Sequence, residues 1–489
     1  MSTTDELLLI AHRIRSSAMS DAARDQADEV IERLDGPLRV AIAGKVKAGK
    51  STLLNALVGS QLAPTDAGEC TKVVTWYLDG ATYRVTAETL DGDHDTLRFS
   101  RNDGALDIDL GPHVPESLAR LRVEWPSEAL RELVLIDTPG IDSVNTEISR
   151  RTEDFVGPDD GACETDAVVY LMRHLHQSDV RFLESFHDRA VAHPSPINTI
   201  GVLSRADEVG VGRLDAMRSA AKIAARYSAD PKVRSLCQSV LPVAGLLAET
   251  AVTLRHEEFQ QLQTLSELPR PELDELLLSV DRFVAERSAI RIAPGARERL
   301  LQRFGMFGIR LGIATFRQQR APSPGPLADL LADKSGLSSL RETLRETFGV
   351  RGELLRARSA MLRLDQVLSG EDSNEARAVG RDLERLHASM HEFNELALFS
   401  ALRAGHVDLP DPDRPVAERL LGASGFRPHE RLGLDRGSSA EEIRTEASVL
   451  LLRWQRLAEN PLRARSAHAA RVLARTCEGL IAATLTPMR

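Results

Sequence analysis

Apolar positions along the chain change period twice. Over residues 4–34, Leu7, Ile10, Ile14, Val30, Ile31 and Leu34 are available for one helical stripe, and Thr3 and Glu6 have the spacing of a capping box. The pattern predicts one amphipathic helix, stopped by Asp35-Gly36-Pro37. Leu38 to Gly44 is then an unbroken apolar run ending in glycine, which predicts a buried strand leading into a turn and a helix from Lys50. Further strands are predicted at 73–78, 83–89, 121–125, 133–137, 167–172 and 199–204, with helices at 178–188 and 214–228. This alternation predicts an α/β domain with a mostly parallel sheet, and the stretch 73–125 reads as antiparallel and hairpin-rich.

From about residue 251 the strand signals stop and helical patterns take over. Pro322, Pro324 and Pro326 are expected to break them before a helix at about 336–348. Val379, Leu383, Leu386, Met390 and Phe393 alternate spacings of four and three, a heptad seam that predicts one face of a helical bundle. Asp408 to Pro415 reads as a loop, and Ser439 with Glu442 as the capping box of a helix carrying Ile443, Ala447, Leu450, Leu451 and Trp454 on one side.

Composition narrows the chemistry. With 489 residues, two or three domains are expected. Lys+Arg 62 against Asp+Glu 72 leaves a net charge of -10, which argues against a protein that holds nucleic acid by phosphate contacts. The 4 cysteines lack any C-x-x-C pairing, so neither a disulfide framework nor a thiolate zinc site is indicated. No signal peptide or membrane span is read. Lysine is scarce, 7 residues against 55 arginines, yet Lys45, Lys47 and Lys50 fall within one turn.

That turn, Gly44-Lys45-Val46-Lys47-Ala48-Gly49-Lys50-Ser51, matches G-x-x-x-x-G-K-[ST] between a predicted strand and helix. Backbone N–H groups there can close around phosphates, Lys50 can charge the β/γ oxygens, and the Ser51 hydroxyl can ligate Mg²⁺, with Thr52 following in the helix. Asp137-Thr138-Pro139-Gly140 ends another strand, where ligands gather in a parallel sheet. Asp137 can hold the Mg²⁺ shell, and Gly140 can offer an N–H to the γ-phosphate. Ser204-Arg205-Ala206-Asp207 ends a third, where Asp207 can accept from the two adjacent donors of a guanine edge. Each of the last two segments alone is an ordinary turn; their order after the first gives them weight.

With these motifs in this order, the chain resembles a GTPase of the dynamin superfamily, specifically the bacterial dynamin-like proteins, and within them the isoniazid-induced family of mycobacteria. The resemblance implies an α/β P-loop GTPase domain plus an α-helical neck and trunk. It divides the chain into 1–35 (a helix joining the neck), 36–350 (the GTPase domain, with 251–330 mainly helical) and 351–489 (neck and trunk). It also implies that Thr71 is the switch threonine closing on Mg²⁺ and the γ-phosphate, and that Pro242-Val243-Ala244-Gly245 is a fifth motif. Arg205 replaces the usual lysine over the base plane, where a guanidinium stacks as well. Ile141 stands where small GTPases carry a water-orienting glutamine, so hydrolysis is expected to need a second GTPase domain. Lys47 is either a source of transition-state charge or a solvated lysine beside the phosphates.

The implied partners are GTP and GDP, a second copy through the GTPase domains, an anionic membrane surface touched peripherally on the cytoplasmic face, and a second dynamin-like protein. The implied activity is GTP hydrolysis coupled to membrane remodelling or repair; the alternative is a GTP-switched interaction protein that leaves lipid to its partner. Two stretches are weighed as lipid contacts against ordinary helix packing, Leu396 to Arg403 and Phe304 to Leu311.

Overall fold

A computed structural model describes residues 3–17, 19–63, 73–102, 105–139, 164–174, 198–286, 291–460 and 466–485. The strands are β1 (Leu38–Gly44), β2 (Thr75–Leu78), β3 (Arg84–Thr89), β4 (His94–Thr96), β5 (Arg98–Asn102), β6 (Ala105–Asp109), β7 (Leu118–Glu124), β8 (Leu133–Asp137), β9 (Ala167–Met172), β10 (Thr199–Ser204) and β11 (Ser239–Val243). Among the described residues nine of them form one sheet in the order β11-β10-β9-β1-β8-β2-β7-β3-β4, and β5 and β6 pair as a separate hairpin. From β11 to β8 every pairing is parallel. β2 then runs antiparallel to β8 but parallel to β7, and β3 pairs antiparallel with both β7 and β4. The fold is therefore an α/β domain built on a mostly parallel sheet with antiparallel hairpin elements, followed by a helical region. Four of the strands, β4, β5, β6 and β11, carry no clear apolar run and were not predicted.

β1 shows why the sheet is covered on both faces. Successive side chains point to opposite sides, so Val40 and Ile42 enter one core while Ala41 and Ala43 enter another. The second core is closed by the helices Ala216–Ala229 and Pro231–Leu236. The first extends without a break into Leu7, Ile14, Val30 and Leu34 of the N-terminal helices and into Leu355, Leu364, Val379 and Leu386 further along.

One polar joint sits inside that shared core. Arg33 donates to Asp166 Oδ1 through Nε (3.2 Å) and Nη2 (2.8 Å), and the Arg39 N–H donates to Asp166 Oδ2 at 2.9 Å. Ser359, from the helix Val350–Ser369, adds a further hydrogen bond. Two helices outside the sheet and the backbone of β1 thus converge on one buried carboxylate beside β9.

Several predicted elements are corrected. The stretch 4–34 is two helices, Thr3–Arg15 and Asp21–Asp35. The Ser16 and Ser17 hydroxyls donate back to the His12 and Ile14 carbonyls, and Ser20 caps the second helix by accepting from the Ala23 N–H. Pro324 and Pro326 lie within the first turn of a helix, Pro324–Lys334, where a missing N–H costs nothing. The helix expected at 336–348 is Leu337–Leu344, continued by a widened turn over Arg345–Gly349 into Val350–Ser369. The heptad positions are all buried, but the seam is split at Met390, between the helices Asn374–Ser389 and His391–Arg403. The Ser439–Glu442 capping box forms as expected on Ala440–Glu459.

Both segments weighed as lipid contacts are packed inside. Leu396, Leu398, Phe399 and Leu402 are buried, and Arg403 donates to the carbonyls of Arg234 and Gln238, both at 3.0 Å, instead of facing outward. Phe304, Phe307 and Ile309 are buried too, with the helix approaching Leu247 so closely at Gly308 that a Cβ would lie 2.7 Å from its Cδ1. Among the described residues no helix is long and apolar enough to cross a membrane.

Candidate nucleotide-binding site

The C-terminal ends of β1, β8 and β10 lie in one parallel sheet, and the turns that follow them meet at its edge. After β1 the chain passes over β9: at Gly44 (φ +150°) a Cβ would lie 2.5 Å from the Leu171 carbonyl oxygen, so only glycine fits. The turn then enters the helix Lys50–Val58. Lys50 is buried and its Nζ donates back to the carbonyls of Gly44 (3.1 Å) and Lys45 (3.4 Å), which places the ammonium in the mouth of the loop. Burial pushes its pKa down, and the charge of Asp137 partly opposes this. Val46 and Lys47 are exposed; Lys47 has a left-handed backbone (φ +61°) and its carbonyl accepts from Arg205 Nη2 at 3.3 Å.

Asp137 ends β8 opposite this helix. Its Oδ2 accepts from Ser51 Oγ at 2.9 Å, while its Oδ1 is buried with no hydrogen-bond partner. Burial drives its pKa up, against the opposing pull of Lys50 and Ser51. A buried carboxylate oxygen without a donor, beside a hydroxyl, is the donor set a hard divalent cation takes. Ser51 and Asp137 therefore fit Mg²⁺. Thr138 Oγ1 donates to the Ile42 carbonyl at 3.0 Å and stitches the end of β8 to β1. Thr71, Gly140 and Ile141 lie outside the described residues.

The third turn lies across a cavity of about 170 Å³. Ala48, Gly49 and Thr52 border it on one side, Ser204, Arg205 and Asp207 on another, and Val243 and Gly245 on a third, so the segments Gly44–Ser51, Ser204–Asp207 and Pro242–Gly245 meet around one space. Arg205 adopts φ +52° and its guanidinium donates to Glu208 (2.9 Å) as well as to the Lys47 carbonyl, tying its own turn to the one after β1. Asp207 is largely buried, and desolvation is the main cause of its raised pKa.

Sequence reading missed the supports of this site. Asn55 Oδ1 accepts from the N–H groups of Leu62 (2.8 Å) and Ala63 (2.7 Å), fixing the start of the segment that leads to Thr71. Asn55 Nδ2 donates to Glu249 at 3.1 Å on the helix Gly245–Val252, and burial raises the Glu249 pKa. Arg341 donates to the carbonyls of Ala56 and Leu57 and caps the C-terminal end of Lys50–Val58. A polar residue at a buried position of an apolar helix, such as Asn55, was the available signal.

The chain is similar to several known proteins. The Dynamin family matches residues 40–206. The isoniazid-induced protein IniC of Mycobacterium tuberculosis is 40% identical over 490 residues, covering 99% of each chain. A bacterial dynamin-like protein of Nostoc punctiforme is 44% identical over 57 residues, 12% of this chain and 8% of that one. A solved chain from an oligomerised bacterial dynamin pair, described as a mechanism for long-range sensing and tethering of membranes, aligns over 99% of this chain and 89% of its own, with a TM-score of 0.35 and 12% identity.

Proposed function

From a chain that belongs to the dynamin family and is a GTP-hydrolysing enzyme, we propose a Mg²⁺-dependent GTPase that couples pairing of its GTPase domains to motion of its helical region, in membrane remodelling or repair on the cytoplasmic face of the cell membrane. The reading assigns residues 36–350 to the GTPase domain, 1–35 to a neck helix pair and 351–489 to neck and trunk. The observation that carries it is the meeting of three turns at one sheet edge, with the Ser51–Asp137 pair at the phosphate end and Asp207 at the other.

In this reading Gly44 to Ser51 cradles the phosphates, Lys50 charges the β/γ oxygens, and Thr52 borders the cavity. Ser51 and Asp137, with Thr71, would hold Mg²⁺, which would supply positive charge against those oxygens. Lys47, exposed and carried on a turn fixed by Arg205, supplies transition-state charge. Gly140 donates to the γ-phosphate, and Ser204, Arg205 and Asp207 hold the base. Turnover per molecule should rise with protein concentration, because Ile141 carries no group that orients water. A specific activity that stays flat over a hundredfold dilution, with no dimer in GDP and aluminium fluoride, refutes the pairing mechanism.

Burial of Leu396–Leu402 and of Phe304–Ile309 favours a second reading, in which the protein switches with GTP and engages a membrane-active dynamin-like partner. Co-sedimentation with anionic liposomes separates the two: binding in the GTP state supports remodelling by this chain, and no binding in either nucleotide state leaves the partner reading.

A further inference from the structure

Behind the cavity runs the helix Pro294–Arg317, broken at Gly305, whose φ of +61° and ψ of 173° lie in a region that glycine alone adopts cheaply. The break faces the base end of the site. A Cβ on Gly305 would sit 3.5 Å from Asp207 Oδ2 and 4.0 Å from Leu246 Cδ2, so the bare Cα of the kink forms the wall on which the carboxylate rests.

Both halves of the helix are fastened to the loops around the cavity. Before the break, the Arg303 carbonyl accepts from the hydroxyl of Thr250, on the helix that starts at Gly245, and the Arg303 guanidinium binds Glu258 (2.7 Å) and the Thr253 carbonyl (2.9 Å). After it, Arg310 donates to the carbonyls of Val211 (3.0 Å) and Gly212 (2.7 Å), the end of the loop that begins at Asp207, and to that of Leu277 (2.6 Å). The loop itself is strained: Val211, a β-branched residue, is held at φ +61°.

We propose that this kinked helix sets the guanine selectivity of the site from outside it, with Gly305 and Arg310 as positioning residues that hold the Asp207 carboxylate in the plane of the base. The inference rests on the reading of Asp207 as the base-recognition group. A carboxylate that accepts from two neighbouring donors must present both oxygens in the base plane. When it rotates out of that plane it can no longer make both bonds, and the advantage of a base carrying both donors over one carrying only the ring N–H shrinks. A site built to satisfy both discriminates strongly against a base lacking one.

The experiment compares GDP with inosine diphosphate, which lacks only the 2-amino group, by titration calorimetry on the full chain. The parent should bind GDP at least tenfold tighter. Arg310→Ala and Gly305→Ala should each shrink that ratio threefold or more, and Arg310→Lys, which retains a donor but not the fork, should fall between. Equal weakening of both nucleotides, or an unchanged ratio, in Arg310→Ala overturns the proposal, and this variant decides the matter should Gly305→Ala fail to fold. The underlying assignment fails separately: a parent that binds ADP as well as GDP, or an Asp207→Asn variant that gains nothing for xanthosine diphosphate, removes the base pocket itself.

Discussion

Replacing Asp166 with asparagine should loosen the helices from the sheet, and the size of the effect follows from the joint. The side chain keeps its shape, and its remaining carbonyl oxygen can still accept from the Arg39 N–H. The Arg33 guanidinium, only 5% exposed, loses the charge of Asp166. Removing one partner of a buried pair typically costs about 3–5 kcal/mol, because the other charge is left uncompensated. Unfolding entropy of about 2.1 cal/mol/K per residue over a chain of this length gives about 1 kcal/mol/K, so the melting temperature should fall by about 3–5 °C. Burial alone would raise the Asp166 pKa; the Arg33 charge and the Arg39 hydrogen bond outweigh it and hold it below the ordinary carboxylate value. Its stabilisation is therefore complete above the unfolded pKa and lost as pH falls through the folded one, so the gap between parent and variant should begin to narrow as pH falls below about 4. Calorimetry, with Trp76 fluorescence for the sheet and far-ultraviolet dichroism for the helices, reads both sides of the joint. A loss under 1 kcal/mol, or a shift in the helical signal alone, refutes the view that helices and sheet melt as one body.

Lys50→Ala should abolish hydrolysis and weaken GTP binding by about tenfold or more, the worth of one charged hydrogen bond, whereas Thr71→Ala should spare binding more than turnover; a Thr71→Ala variant that hydrolyses GTP at the parental rate removes its role. Leu398→Asp places a charge inside the terminal core and should abolish the thermal transition or the soluble yield. A variant that folds fully but loses liposome binding would instead restore the segment as a lipid contact. Burial raises the pKa of Glu395, but hydrogen bonds from His391 and Thr476 and the charge of Arg431 prevail and hold it at about 2, against an ordinary value of 4.5. The helices that meet there, His391–Arg403 and Ala467–Leu485, should lose about 3 kcal/mol of support as pH falls from about 4.5 towards 2. Glu395→Gln should flatten that acid limb, as measured by urea titration at pH 3 and 6.

The parallel strands β1, β8, β9 and β10 and the three ligand turns were legible because these strands are largely buried and read as apolar runs, and all four match their predicted limits; β11, half-buried at the edge of the sheet, was not. The hairpin strands β4, β5 and β6 were not, since exposed or short strands carry polar residues on at least one face. Helix breaks were the other failure. Ser16, Ser17 and Ser20 end and restart a helix through local hydroxyl bonds, which apolar spacing does not record. Around the site, Lys50, Ser51, Asp137 and Asp207 were readable from motif chemistry. Asn55, Glu249, Gly305 and Arg310 act through contacts made by residues far apart in the chain, so only the fold brings them into view.

The core shared by the N-terminal helices and the sheet also sets an order on synthesis. Glu29 meets Arg363, 334 positions later, across the same packed surface. At roughly 5–20 residues per second a ribosome needs on the order of 20–70 s to make that intervening length. Leu7, Ile14, Val30 and Leu34 leave the ribosome well ahead of the helix Val350–Ser369 that packs on them. The nascent chain must therefore carry an uncovered apolar stripe over that interval.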